Sequence, residues 1–158
     1  MTSKVYVALR VKASPRRAFE AFVGEIGVWW RSSPLFQTTP RPGVLSFEFE
    51  GDEPGQGGRL IETRAGGKVF EIGRISVWEP PHRIVFSWRQ ANFPPDLHTE
   101  VEVRFEAVGD ETRVSVEHRG FDRVPAGAAR HGFPDPVLLA RLADFWRAQI
   151  VAVGDLLG

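Results

Sequence analysis

From Val44 to His118 the chain repeats one pattern: apolar and polar residues alternate with a period of two, in runs parted by short glycine- or proline-bearing links. That period is the mark of half-buried strands. After a gap rich in glycine, proline and alanine, the spacing changes to that of a helix and stays so to the C-terminus. Strands joined by such short links must pair antiparallel, because a parallel pair needs a crossover of a dozen or more residues. With helices confined to the two ends of the strand run, the pattern predicts an α+β fold.

The individual elements can be placed. Val5, Val7, Leu9 and Val11 alternate with Tyr6, Ala8, Arg10 and Lys12, giving a first strand. Ser14-Pro15 then supplies an N-cap and a first-turn proline for a helix with Ala18, Phe19, Phe22 and Val23 on one stripe. A second short helix carries Trp29 and Trp30, and three prolines make residues 32–43 an irregular loop. Strands follow over Leu45 to Phe49, over GRLIETR, and from Lys68 to about Trp78, with a hairpin turn at Ala65-Gly66-Gly67. Gly73 inside the long strand predicts a bulge or bend. Ile84, Phe86 and Trp88, then Val101, Val103 and Phe105, then Thr112 to His118 complete about seven strands. The DEPGQGG stretch and residues 92–97 are loops, and residues 120–136 are expected to be mobile. Asp135 is expected to cap the last helix and Pro136 to start it, with Leu138, Leu142, Phe145, Gln149 and Val153 along its stripe. About 20 helical residues span ~30 Å, enough to cross a whole sheet.

Several function classes are excluded or disfavoured by composition. The chain has 158 residues, a size read as one domain over 1–158. It has no cysteine, so disulfides, thiolate metal sites and cysteine nucleophiles are ruled out. Acidic and basic residues balance at 20 each with no basic cluster, which speaks against a nucleic-acid partner. No apolar run approaches the ~20 residues of a membrane span, and no signal peptide is evident, so no membrane partner and a cytoplasmic location are expected. His82, His98, His118 and His131 show no ligand spacing, so no metal or other cofactor is expected. The GQGG run leads into a strand with no Lys-Ser/Thr behind it, unlike a phosphate-binding loop.

Residues 57–88, GGRLIETR…GRISVWEPPHRIVFSW, resemble the family of activators of the 90-kDa heat-shock-protein ATPase, a branch of the START-like (SRPBCC) superfamily. Ala13 to Phe19, the Trp29-Trp30 pair and the Val116 to Phe121 strand end extend the likeness over nearly the whole chain. The resemblance implies a helix-grip fold, in which a curved antiparallel sheet wraps a long C-terminal helix and leaves a ligand cavity between them. It does not imply one activity, since members include binding proteins and co-chaperone domains. Family members tend to carry Gly-Trp near the start of the last helix, where this chain has Phe145-Trp146.

The candidate site follows from the inward faces. Of five tryptophans and twelve phenylalanines many fall on the same strand face; core packing explains most of them, but a curled sheet and one helix rarely fill the space between them. A concave, mostly apolar cavity of roughly 300–1,000 Å³ is the expected outcome. Its expected lining is Trp29, Phe47, Phe49, Phe70, Ile72 and Phe86, together with Trp88, Val101, Val103, His118, Leu142 and Trp146. The stretches 34–42, 92–97 and 121–133 are the expected rim or lid. His118 should point inward with Val114 and Val116, either as a satisfied core imidazole or as a polar wall contact or general base. Glu62 and Arg64 share a strand face, and are either an internal ion pair, a polar ligand anchor or a solvated face. The favoured function is binding of a small apolar or amphipathic molecule. The alternative is a cyclase, dehydratase or hydrolase acting on a hydrophobic polyketide-like substrate through His118, Glu62 and Arg64. A chaperone-regulating module ranks last, because the extra N-terminal domain expected of eukaryotic activators is not seen. An exposed sheet edge leaves a homodimer open.

Overall fold

The computed structural model describes residues 4–51, 57–125 and 127–158. Strand β1 (Lys4–Val11) leads into helices α1 (Pro15–Gly24) and α2 (Ile26–Trp29). Then come β2 (Val44–Glu48), β3 (Arg59–Thr63), β4 (Val69–Glu79), β5 (Arg83–Trp88), β6 (Thr99–Val108) and β7 (Glu111–Arg119), and last α3 (Asp135–Leu157). Of the DEPGQGG loop, residues 52–56 lie outside the described residues.

The seven strands form one antiparallel sheet in the order β1-β7-β6-β5-β4-β3-β2. The hairpins set this order, and the first strand closes onto the last: Val5 faces His118 and Val7 faces Val116. Curvature comes from β4. Its register slips against β3 between Leu60 and Ile61, and against β5 between Ile75 and Val77. Each slip places an extra residue on β4, which bends the strand. Gly73 sits at the first of them. A Cβ there would lie 1.6 Å from the Ser87 carbonyl oxygen, so no other residue allows β4 and β5 to approach as they do.

Helix α1 starts as its sequence predicts. Ser14 Oγ accepts the Arg17 N–H at 3.2 Å, and Pro15 occupies the first turn. Phe19 and Phe22 drive the helix onto the sheet, edge-on to Phe105 at ring distances of 5.2 and 5.8 Å. Helix α3 begins one residue earlier than expected. Asp135 is its first residue, not its cap, and pairs with Arg130. Phe145-Trp146 therefore lies mid-helix, well away from the start. Leu138, Leu142, Phe145, Gln149 and Val153 are buried against the sheet along the expected stripe.

Residues 120–125 and 127–134 are better fastened than their composition suggests. Arg130 is buried and donates to the carbonyls of Phe121, Val124 and Phe133 at 3.4–3.5 Å. Short 3₁₀ turns at Phe121–Arg123 and Ala128–Arg130 complete the segment. A single buried guanidinium thus does what regular structure does elsewhere: it satisfies backbone carbonyls away from water.

Candidate functional site

Between the sheet and α3 the expected lining residues do meet. Trp29, Ile72, Phe86, Trp88, Val101, Val103, His118, Leu142 and Trp146 are each at most 1% exposed. That figure leaves no room for water against them, so the depth of the grip is filled by the chain itself and is not the open cavity expected there. The filling side chain is Trp30. α2 ends at Trp29, and the backbone turns extended at Trp30 (φ −58°, ψ 131°). Its indole then lies 5.7 Å from Trp88, 5.6 Å from Phe145 and 5.9 Å from Trp146, ring centre to ring centre. Its ring also lies 5.7 Å from that of Trp29, so the adjacent pair enters the grip together, the second ring from an extended turn that helical spacing does not describe. Trp30 is held in place by a two-point amide clamp. The Arg31 N–H donates to Gln149 Oε1 at 2.9 Å, and Gln149 Nε2 donates back to the Arg31 carbonyl at 2.6 Å.

Phe47, Phe49 and Phe70 are half-buried, and Phe47 and Phe70 pack against the core. Phe47 packs on Phe22 and Phe86. Phe49 lies beyond the end of β2, edge-on to Trp78 at 5.1 Å, in an outward-facing groove with Phe19 and Val23. It is thus not part of the space under α3. The strand ends before Phe49, so the alternation that predicted its direction no longer applies.

His118 is the centre of a polar chain through this apolar region. Trp146 Nε1–H donates to His118 Nδ1 at 3.0 Å. With Nδ1 accepting, the ring proton sits on Nε2, which donates to Thr99 Oγ1 at 2.7 Å. The Thr99 hydroxyl in turn donates to the Trp88 carbonyl at 3.1 Å. Burial, aided by the nearby Arg119 charge, pushes the imidazole pKa down to about 3. His118 is therefore neutral, with both nitrogens occupied.

Glu62 is fully buried. Its two oxygens accept from the Thr38 hydroxyl and the Gly43 N–H, each at 2.6 Å. It makes no ion pair with Arg64, so of the three arrangements foreseen for these two, the ion pair and the solvated face are both corrected. The partners were hidden in the irregular loop, whose path the sequence does not give. Gly43 is required there, since a Cβ would meet the Thr63 carbonyl oxygen at 2.1 Å.

Open space lies at the mouth of the grip. A cavity of about 300 Å³ is bounded by Pro34, Leu35, Gln37, Thr38, Thr39 and Pro40 on one side, and by Ala91, Asn92 and His131 on the other. These belong to all three stretches that the sequence marks as rim, or directly adjoin them. Phe36, between two cavity residues, turns the other way onto Phe145 and Phe121, at 5.3 and 6.3 Å. His131 Nε2 contacts the Leu35 carbonyl at 2.6 Å and ties the C-terminal rim to the first loop. Among the described residues, no three His, Asp or Glu side chains gather as a metal site.

A curved seven-stranded antiparallel sheet closed over a long C-terminal helix, with two short helices after the first strand, defines a helix-grip protein. Solved structures of the same fold bear this out. CalU16 from Micromonospora echinospora aligns over 99% of this chain and 74% of its own, at 19% identity and a TM-score of 0.62. An Hsp90 activator from Plasmodium falciparum aligns over 90% of this chain and 86% of its own, at 19% identity and 0.59. Txn09, an anthrahydroquino-γ-pyrone synthase, aligns over 96% and 95%, at 26% identity and 0.54. The family model for activator of Hsp90 ATPase homolog 1-like proteins matches residues 12–143, and the chain belongs to that family. Comparison with curated protein sequences finds no match.

Proposed function

We propose that this protein binds a small amphipathic molecule at the mouth of the grip. The observation that carries the reading is the rim cavity itself, with its mixed wall of Leu35, two prolines, threonines and Asn92. A few polar groups set in an otherwise apolar recess are what ligand sites commonly offer. Below it lies the ring cluster of Trp30, Trp88, Phe145 and Trp146, where Trp30 is the member not fully buried. A ligand with a flat aromatic body enters by displacing Trp30, exchanging one ring for another at little cost in burial. The likeness to Txn09, whose structure holds a bound compound, supports a small-molecule role. The Hsp90 activator of the same fold shows why the fold alone does not decide.

The test is a fluorescence titration with the neutral probe N-phenyl-1-naphthylamine. Saturable binding is expected, weakened at least about tenfold by Ala91→Trp, which fills the rim cavity. Absence of saturable binding to the unaltered protein sinks the reading.

A second reading, an enzyme acting on such a molecule, draws on the same likeness and on Glu62, a buried carboxylate joined through Thr38 to the cavity wall. His118 is the weaker candidate for proton transfer, because both its nitrogens are engaged. Turnover of a bound aromatic polyketide that survives Glu62→Gln would remove Glu62 from the chemistry.

A further inference from the structure

Six of the described arginines are buried or half-buried: Arg59, Arg64, Arg83, Arg89, Arg119 and Arg130. Four of them pair with carboxylates: Arg59 with Glu48 and Glu71, Arg83 with Glu79 and Glu102, Arg119 with Glu100 and Glu102, and Arg130 with Asp135. Arg64 and Arg89 do not. Neither guanidinium has a hydrogen-bond or carboxylate partner among the described residues, and the Nε of each is buried without one. A guanidinium nitrogen buried without an acceptor carries a desolvation cost, and a bidentate oxyanion is the natural complement of the group.

Arg89 lies over the Phe70 ring, and Arg64 projects to the face that carries Phe70. Phe70 is the cross-strand partner of Glu62, so both side chains project to the same face. Arg64 stands two residues beyond Glu62 in extended backbone (φ −93°, ψ 168°), with its N–H on the Lys68 carbonyl at 2.7 Å, and so projects to that face as well. Arg89 places its guanidinium over the Phe70 ring, 5.4 Å from the centre. The carboxylate that could have neutralised them is on the same face, but Glu62 spends its oxygens on Thr38 and Gly43. Glu62 thus pairs with neither arginine.

Two links join this face to the rim cavity, whose own lining holds neither arginine. Arg89 precedes Gln90 and the cavity residues Ala91 and Asn92, while Thr38 joins the cavity wall to Glu62. The Ala91 N–H also donates to the Thr38 carbonyl at 2.7 Å, which closes the link between the two sides.

We propose that Arg64 and Arg89, at the Phe70 face, form an oxyanion anchor for a ligand whose aromatic or apolar body occupies the mouth of the grip. The inference rests on the small-molecule reading above and narrows its ligand class to molecules bearing one carboxylate, sulfonate or phenolate. An apolar ligand without such a group leaves both guanidiniums as they are, and gains nothing from them.

The experiment compares two probes of nearly equal aromatic body: 1-anilinonaphthalene-8-sulfonate, which carries an oxyanion, and N-phenyl-1-naphthylamine, which does not. The sulfonate is expected to bind the unaltered protein at least about tenfold more tightly, in keeping with a charge-assisted hydrogen-bonded pair. Arg64→Gln and Arg89→Gln should each erase most of that preference while leaving the neutral probe's affinity unchanged, which also reports that the variants fold. Arg113→Gln, on an exposed side chain remote in sequence, should change neither. With the unaltered protein alone, benzoate should displace the sulfonate and spare the neutral probe. Equal binding of the two probes, or a preference that survives both substitutions, overturns the anchor and leaves the small-molecule reading standing. Failure of both probes to bind overturns both.

Discussion

The indole N–H of Trp146 and the Nδ1 of His118 meet at 3.0 Å in a region that no water reaches. This contact fixes the imidazole as the Nε2–H tautomer and makes its protonation unfavourable twice over. The proton would have to be added at the nitrogen that already accepts, and the resulting cation would lie buried near Arg119. The ring should therefore stay neutral throughout the ordinary pH range. Its Cε1–H signal in NMR is expected to remain flat from about pH 8 to about pH 4.5. A titration step near the usual histidine value would show that the ring is not enclosed as described.

The same depression makes stability depend on pH. The folded-state pKa of His118 is about 3, against 6.5 for the free side chain. Between those values the unfolded chain binds the extra proton and the folded one does not. Stability is unaffected by this group above pH ~6.5, and falls as pH drops below it, by up to about 1.4 kcal/mol per pH unit. Urea midpoints measured at pH 7.5, 6 and 5 should decline, with the decline beginning near pH 6.5 and not near the carboxylate range.

Thr99→Val tests the other end of the polar chain. It removes the acceptor of the His118 Nε2–H and the donor to the Trp88 carbonyl at once. A loss of about 1–3 kcal/mol is expected, because two buried groups are left unpaired. In the double variant with His118→Phe the losses should fall well short of additive, since the imidazole that needed Thr99 is then gone. Full additivity in a thermal or urea cycle would mean that the two side chains do not act together.

Much of the fold could be read from the sequence because it depends on local periodicity. The alternation over Val101 to Phe105 and over Thr112 to His118 returned strands β6 and β7, and the stripe from Leu138 to Val153 returned α3. The site was less legible. Trp88, His118 and Trp146 point inward as expected, yet whether inward-facing rings leave a cavity depends on what else enters it. Trp30 enters from a backbone turn after a four-residue helix, which periodicity does not describe. Glu62 finds Thr38 and Gly43 through an irregular loop with no pattern at all. The position of Phe49 failed for a related reason, because its strand stops one residue short of it.

Gly73 is a place where sequence and structure give the same answer, and it yields a sharp stability test. The sequence marks it as an interruption, and in the fold a Cβ would be driven into the Ser87 carbonyl at 1.6 Å. Backbone cannot yield as a side-chain tip can, so Gly73→Ala must separate β4 from β5 or flatten the bulge. A loss of roughly 2–4 kcal/mol is expected in urea unfolding. Gly24→Ala is the matching control: a Cβ there meets nothing within 4 Å, and its cost should be within about 0.5 kcal/mol. Equal effects at the two positions would contradict the close approach of the strands.

The clamp between Gln149 and the Arg31 backbone gives the last prediction, and bears on how the grip opens. Gln149 is buried on α3, and the two halves of its amide bond the N–H and the carbonyl of Arg31, the residue after Trp30. Gln149→Leu keeps the apolar bulk but abandons the Arg31 N–H and carbonyl, at a cost of about 1–3 kcal/mol. That cost should fall on the local opening of the loop more than on the fold as a whole, because the sheet and the rest of the α3 stripe are untouched. Hydrogen exchange should therefore quicken at the Arg31 amide by at least about tenfold, while amides in β6 and β7 keep their protection. Once loosened, Trp30 should yield its place among Trp88, Phe145 and Trp146 more readily, so the variant should bind N-phenyl-1-naphthylamine more tightly than the unaltered protein. Faster exchange without tighter binding would mean that Trp30 is a fixed part of the core, and that any ligand stays outside it at the rim.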